Sequence, residues 1–135
     1  MADILGSQGQ SITEVAISNG PASGVVSGSG TGAATPITAT LAAAVGKTTY
    51  ITGFLVSGLG ATSAALIAVT VTGLAGGTQT FYYPVPAGVG VAGPPMWIPL
   101  PSLPGSAQNT AIVVNVPSFG SGNTAAGVSA EGYQR

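Results

Sequence analysis

The chain lacks the side chains on which most enzymes and metal sites are built. It has no cysteine and no histidine, so neither a Ser-His-Asp nor a Cys-His nucleophile can form, and zinc loses its usual ligands. Calcium draws on several carboxylates, and only Asp3, Glu14 and Glu131 exist. A glycosidase would need Glu14 and Glu131 to meet across a cleft, whereas we expect both to be solvated or paired with Lys47 or Arg135. The sequence therefore predicts no enzyme, no metal and no cofactor.

The chain also has very few charged residues. Charged residues make up 4% of the chain, against about 25% in a typical soluble domain. Two basic residues cannot neutralise a run of phosphates, so we expect no nucleic-acid partner. Between Lys47 and Glu131 there is no charge at all. Because soluble domains normally rely on charge for colloidal stability, this surface must be Thr, Ser, Asn, Gln and Gly, or be covered by another molecule.

Targeting signals are weak as well. Residues 1–10 have no basic segment followed by an apolar one, so no secretory signal is predicted and synthesis in a cytoplasm is expected. The uncharged stretch 51–74 is long enough to span a bilayer. The glycines at 53, 58 and 60, the threonines and the two-residue period argue against a helix, and no Lys/Arg cluster flanks the stretch. We therefore expect no membrane partner.

What the chain has is alternation with a period of two, the pattern of β-strands. It is clearest in the central pair, Thr49–Ser57 and Ala64–Thr72, where Ile67, Val69 and Val71 share one face. In the first of these, the pattern puts Phe54 on the face opposite Ile51. Turn residues separate further strands at 36–41, 78–85, 96–100 (an edge strand), 111–116 and 124–133. Together they predict an all-β antiparallel jelly-roll sandwich over residues 37–135.

Residues 1–36 differ in composition and are predicted to be an extended N-terminal arm. Gly20–Pro36 is rich in Gly, Ser and Thr and has the composition of a flexible linker. The cost of ordering so many glycines exceeds what the few apolar side chains return on burial. We therefore expect a neighbouring chain to order the arm by pairing with Ile12–Ile17, which makes Ile12, Val15 and Ile17 candidate interface residues.

The aromatic side chains supply the remaining candidates. Phe54, Phe81 and Phe119 are expected in the core. Tyr82, Tyr83 and Trp97 are candidates for a protein interface or for stacking on a sugar.

Three stretches carry a resemblance to a known family. They are GKTTYITGFLVSG (46–58), VTVTGLAGGTQTFYYPVPAG (69–88) and NTAIVVNVPSFGSGNTAAGVSAEGY (109–133). They resemble small capsid cement or decoration proteins of tailed bacteriophages, over most of residues 37–133. The resemblance implies a structural virion protein assembled in the host cytoplasm: a jelly roll on the outside of the capsid that bridges neighbouring major capsid subunits, usually as a homodimer or homotrimer. It implies no catalytic residues.

Two other classes stay open at this point. A carbohydrate-binding jelly roll, as in a phage fibre or tail module, needs clustered exposed aromatic rings. A self-polymerising sheath subunit needs complementary sheet edges.

Overall fold

Residues 24–135, the part of the chain that the computed structural model describes, contain β-strands and no helix. Eight strands form two four-stranded antiparallel sheets that pack face to face. The strands are β1 (Gly24–Gly32), β2 (Ile37–Leu41), β3 (Thr49–Gly58), β4 (Ala65–Thr72), β5 (Gln79–Val85), β6 (Met96–Pro104), β7 (Ile112–Val116) and β8 (Ala126–Gln134). The first sheet has the order β1-β8-β3-β6 and the second β2-β7-β4-β5. The predicted all-β antiparallel sandwich is confirmed.

The strands pair in a nested fashion. β4 pairs with β5, β3 with β6, β2 with β7 and β1 with β8, as if one long hairpin had been rolled up. Two further pairings, β3 with β8 and β4 with β7, join these pairs into sheets. The central sequence pair, β3 and β4, therefore does not form a hairpin. The two strands lie in opposite sheets and cover one core from both sides.

All seven strands predicted downstream of residue 36 are present, as β2 to β8. Only β6 is markedly longer than predicted, because it continues beyond Leu100 to Pro104. β6 is an edge strand, as its prolines indicated. The Gly-rich turn between β4 and β5 is also present, and Gly73 and Gly77 in it adopt the positive φ that a tight turn needs.

Apolar side chains of both sheets meet in one core. Phe54 of the first sheet contacts Phe81 of the second edge to face, with ring centroids 5.3 Å apart. As predicted, Phe54 and Phe119 are buried and Phe81 is partly buried. The largest other buried side chains are Leu41, Ile51, Val56, Val69, Val71, Tyr83, Ile112, Val114 and Val116.

One prediction of side-chain direction in β3 is wrong. The register of β3 against both neighbours shifts between Ile51 and Gly53, which is a β-bulge. The extra residue reverses the alternation, so Ile51 and Phe54 both face the core although they are three residues apart. A strict two-residue period would have placed them on opposite faces.

The linker interpretation of Gly20–Pro36 is wrong where the structure describes it. Gly24–Gly32 is β1, which pairs with β8 along its whole length, from Gly24 opposite Gln134 to Gly32 opposite Ala126. The partner of this segment is the chain's own last strand and not a neighbouring chain. The sandwich therefore begins before residue 37. Ile12, Val15 and Ile17, and their predicted strand, lie outside the described residues.

The glycines of β1 have a structural reason. Gly28 and Gly30 face inward, and a Cβ on either would collide with the backbone carbonyl oxygen of Thr40 or Thr38 in β2. Because these glycines have only a hydrogen atom where other residues have Cβ, the backbone of β1 packs directly against the free edge of β2. The alternation of Gly with Ser or Thr in SGSGTG (27–32) is thus a strand pattern whose inner face, after Val26, has no side chains.

Two buried amide side chains tie the loops to this frame. At one end, Asn123 donates to the carbonyls of Leu59 (2.8 Å) and Ala125 (3.0 Å) and accepts from the N–H of Ala34 (3.0 Å). At the other end, Gln134 donates to the carbonyl of Ala42 at 2.7 Å. Each of these buried side chains thereby links loop backbone to a neighbouring segment and has its own polar atoms satisfied.

No helix in the described part of the chain is long and apolar enough to cross a membrane.

The contact between β1 and β2 can be tested by substitution. Gly30→Val forces a side chain into the Thr38 carbonyl and should lower the free energy of unfolding by about 2–3 kcal/mol through overpacking. Ser29→Val, on the exposed side of the same strand, is the matched control and should change it by less than about 0.5 kcal/mol. Urea unfolding measures both. Equal stability of the two variants would show that β1 does not rest on β2.

The core can be tested in the same way. Phe54→Ala and Val69→Ala remove fully buried side chains from opposite sheets. Each substitution should lower the free energy of unfolding by about 2–4 kcal/mol, because the loss of apolar burial and the cavity left behind both destabilise the fold. A loss below about half a kcal/mol in urea unfolding would mean that the side chain is not buried.

Candidate functional site

The three aromatic candidates do not come together. Tyr82 lies on the outer face of the second sheet and is 59% exposed, whereas Trp97 lies on the outer face of the first sheet and is 48% exposed. Tyr83 points into the core between them. Because neighbouring residues of a strand face opposite sides, Tyr82 and Tyr83 can never share a surface.

The prediction that Tyr83 serves an interface or stacks on a sugar is wrong, because its side chain has no exposed surface. Its ring stacks on Phe119 with centroids 5.1 Å apart. Its hydroxyl donates a hydrogen bond to the carbonyl oxygen of Pro94 at 2.7 Å. Burial raises the pKa of the Tyr83 phenol above its ordinary value. Tyr83 therefore anchors the β5–β6 connection to the core.

The outer face of the second sheet forms a surface that we call the uncharged face. One row of it crosses all four strands in register: Thr38, Asn115, Thr70 and Thr80. A second row holds Thr40, Val113 and Thr72. The side chain of Asn115 donates to the hydroxyl of Thr72 at 3.2 Å, which links the two rows. The face is thus polar without any ionised group.

The uncharged face ends in an exposed apolar corner on β4 and β5. Leu66 pairs with Pro84, and Ala68 pairs with Tyr82 in the next outward position. Leu66 is 65% exposed. The side chains of these two pairs form one apolar patch on the surface. Such exposed apolar patches are typical of protein interfaces.

The charged residues that the structure describes lie elsewhere. Glu131 is on the outer face of the first sheet. On that face the guanidinium of Arg135 lies over the rings of Tyr50 and Tyr133, 5.6 and 5.7 Å from their centroids. Lys47 is in the β2–β3 connection, where its carbonyl accepts from the N–H of Asn109. The two outer faces of the sandwich therefore differ in electrostatic character.

Trp97 has an unusual setting on the first sheet. Its side chain lies against Gly53 of the neighbouring strand, so that a Cβ at position 53 would come within 2.6 Å of the indole carbons Cζ2 and Cη2. The ring is thus held on the strand backbone by the absence of a side chain, with about half of its surface open to solvent.

Sequence reasoning did not find the uncharged face. A local signal existed, since Thr38-Ala39-Thr40 and Thr70-Val71-Thr72 both place two threonines on one side of a strand. The alignment of these threonines into rows depends on the register between strands, which one sequence does not specify. The glycosidase pair of Glu14 and Glu131 lies partly outside the described residues.

The raised pKa of Tyr83 predicts a pH dependence. A group whose pKa is higher in the folded state stabilises the fold below its unfolded pKa of about 10, and this contribution is lost as pH rises through the folded pKa. Near neutral pH, Tyr83→Phe should lower the free energy of unfolding by about 1 kcal/mol, because the hydrogen bond to Pro94 is missing. As pH rises above about 10, the free energy of unfolding should fall less in this variant than in the wild type. Urea unfolding at both pH values measures this. Tyr82→Phe, exposed on the same strand, is the control, and an identical response of the two variants would contradict the assignment.

Comparison with known proteins finds no matching family model, no matching curated protein and no matching solved structure.

Proposed function

We propose that the protein is a capsid cement protein of a tailed bacteriophage, which binds the outside of the shell and staples neighbouring major capsid subunits. The observation that carries this proposal is the uncharged face with its exposed apolar corner. Such a surface can be buried against a partner without desolvating a charge, which is the costly part of forming an interface. The resemblance of residues 37–133 to this family supports the same conclusion.

The strand order also fits the family. A jelly roll is an eight-stranded double sheet built from two Greek keys. The nested pairing of β1 with β8 through β4 with β5, divided between two sheets, is what we expect when one long hairpin is wound into such a fold. We therefore propose a jelly-roll topology for this sandwich.

The size of the uncharged face favours an oligomer. Four strands about 4.8 Å apart, with five to eight residues of about 3.3 Å each, give a face of roughly 400 Å². A stable interface buries about 800 Å² on each partner. One copy is therefore expected to bind weakly, and a homodimer or homotrimer that presents several faces to a symmetric shell gains its affinity by multivalency. Binding only the assembled lattice then stabilises that lattice by mass action.

One edge of the sandwich, strand β6, disfavours the self-polymerising alternative. β6, at one edge of the first sheet, contains Pro99, Pro101 and Pro104, which have no N–H to offer to an added strand. Growth of a filament by edge-to-edge pairing would therefore be blocked at β6. Filaments formed by the purified protein alone would contradict this argument.

The proposal predicts which surface binds the shell. Leu66→Asp and Tyr82→Glu place a charge in the apolar corner and should each weaken cosedimentation with shells of the encoding phage by about tenfold or more, because a charge must then be desolvated. Ser27→Glu, exposed on the opposite outer face, is the control and should bind as the wild type does. Wild-type protein that does not bind these shells at a fixed ratio would refute the function. Unchanged binding of both corner variants would refute the surface.

The arm prediction is tested with a corrected boundary. Deletion of residues 2–34 would remove β1, whereas deletion of residues 2–23 leaves every described strand in place. We expect the shorter deletion to keep the circular dichroism spectrum of the sandwich and to weaken shell binding or oligomerisation. Decoration as tight as that of the full chain would show that the arm takes no part.

A further inference from the structure

We infer that the outer face of the first sheet holds a binding site for a neutral oligosaccharide, with Trp97 as its stacking platform. This inference does not depend on the capsid proposal, because it concerns the opposite face of the sandwich and rests on different residues. Its parts are the indole over Gly53, the carboxylate of Glu131 and the serine hydroxyls of β1 and β8.

The platform comes from the contact between Trp97 and Gly53. The indole carbons Cζ2 and Cη2 lie next to Gly53, so the indole is held beside the strand backbone with about half of its surface open. Aromatic anchors of protein interfaces fill pockets in the partner, and for that they project from the surface. A half-exposed indole that is already held in place suits the apolar face of a pyranose, since an aromatic ring offers a large area of contact and loses little conformational freedom.

The register of the sheet places polar groups in line with this platform. From Trp97, one row continues across the strands through Leu55 and Ser129 to Ser29. The next row continues from Gly53, beneath the indole, through Glu131 to Ser27. With strands about 4.8 Å apart, the first row is about 14 Å long and the second about 10 Å, so the site matches an oligosaccharide better than a single sugar.

A groove lies at the far end of these rows. It has a volume of about 390 Å³ between β1 and β8, and Ser27, Ser29, Ser129 and Glu131 line it together with Val25. This volume falls in the range of small-ligand sites, roughly 300–1,000 Å³. Serine hydroxyls can donate or accept hydrogen bonds, and an ionised carboxylate accepts only. Together they complement sugar hydroxyls, which do both.

The charge of the groove selects the class of sugar. Its lining contains one carboxylate, Glu131, and no basic side chain. The nearby guanidinium of Arg135 is held over the rings of Tyr50 and Tyr133. An acidic sugar would meet the like charge of Glu131 without a cation in the groove to offset it. We therefore expect neutral glycans to bind and sialylated ones to be rejected.

Trp97 is the only tryptophan of the chain, so its fluorescence reports on the site directly. The full-length protein is titrated with maltotetraose, cellotetraose and chitotetraose as neutral probes and with sialyllactose as the acidic probe. We expect a saturable change in emission with at least one neutral tetrasaccharide and none with sialyllactose. No saturable change with any neutral probe up to about 10 mM, or tighter binding of sialyllactose, would overturn the inference.

Variants separate the site from a general effect on folding, with isothermal titration of the best neutral probe as the readout. Glu131→Ala should weaken binding about tenfold, and Gly53→Ala should do the same while Trp97 is still present, because the new Cβ displaces the indole from the strand. The emission of Trp97 should shift in Gly53→Ala without ligand.

Tyr82→Ala, which removes an exposed aromatic ring from the opposite face, is the control and should bind as the wild type does. If Gly53→Ala does not fold, Glu131→Ala decides. Wild-type affinity of Glu131→Ala, or equal losses in Tyr82→Ala, would overturn the assignment.

Discussion

The direct contact between the backbone of β1 and the free edge of β2 sets the form of the sandwich. Gly28 and Gly30 allow the carbonyl oxygens of Thr40 and Thr38 to approach where other residues would carry side chains. The two sheets therefore converge at this edge. At the opposite edge, where β5 and β6 lie, the inner faces carry large side chains such as Phe81 and Leu100, which pack against the core. A side chain at Gly28 or Gly30 would have to separate the sheets or detach β1 from the second sheet.

The few charged residues that the structure describes are distributed unevenly over the two outer faces of the sandwich. The outer face of the second sheet is a grid of Thr and Asn that ends in the apolar corner at Leu66 and Tyr82. The outer face of the first sheet carries Glu131, the Arg135 cation over two tyrosines, and Trp97. A protein that attaches to a surface by one side and meets solvent and glycans with the other would show this division. The two proposals are therefore compatible in one molecule, although neither requires the other.

The sequence predicted the strands wherever side chains mark the alternation, as Ile67, Val69 and Val71 do in β4. It failed at β1, because glycine at every second position has the composition of a linker although its spacing is that of a strand. The predicted side-chain direction was wrong in β3, because the residues Thr52-Gly53 carry no sequence signal for a β-bulge. The bulge places Phe54 on the same face as Ile51. The assignment of both Tyr82 and Tyr83 to the surface contradicted the strand period that was already visible. The rows on both outer faces, and the position of Trp97 over Gly53, depend on register between strands that are distant in sequence, which one chain alone does not reveal.

The nested pairing of the strands has a consequence for how the chain folds. β4 and β5 are joined by a short turn and can pair early, whereas each outer pair closes a longer loop, up to Gly24 opposite Gln134. Loop closure costs more entropy with length, and folding rates fall as contacts become less local. β8 lies between β1 and β3, so the first sheet has no centre until the last strand arrives. On the ribosome β8 emerges after both of its neighbours, so β1 and β3 must wait for this shared partner, whereas β3 and β6 can pair before it.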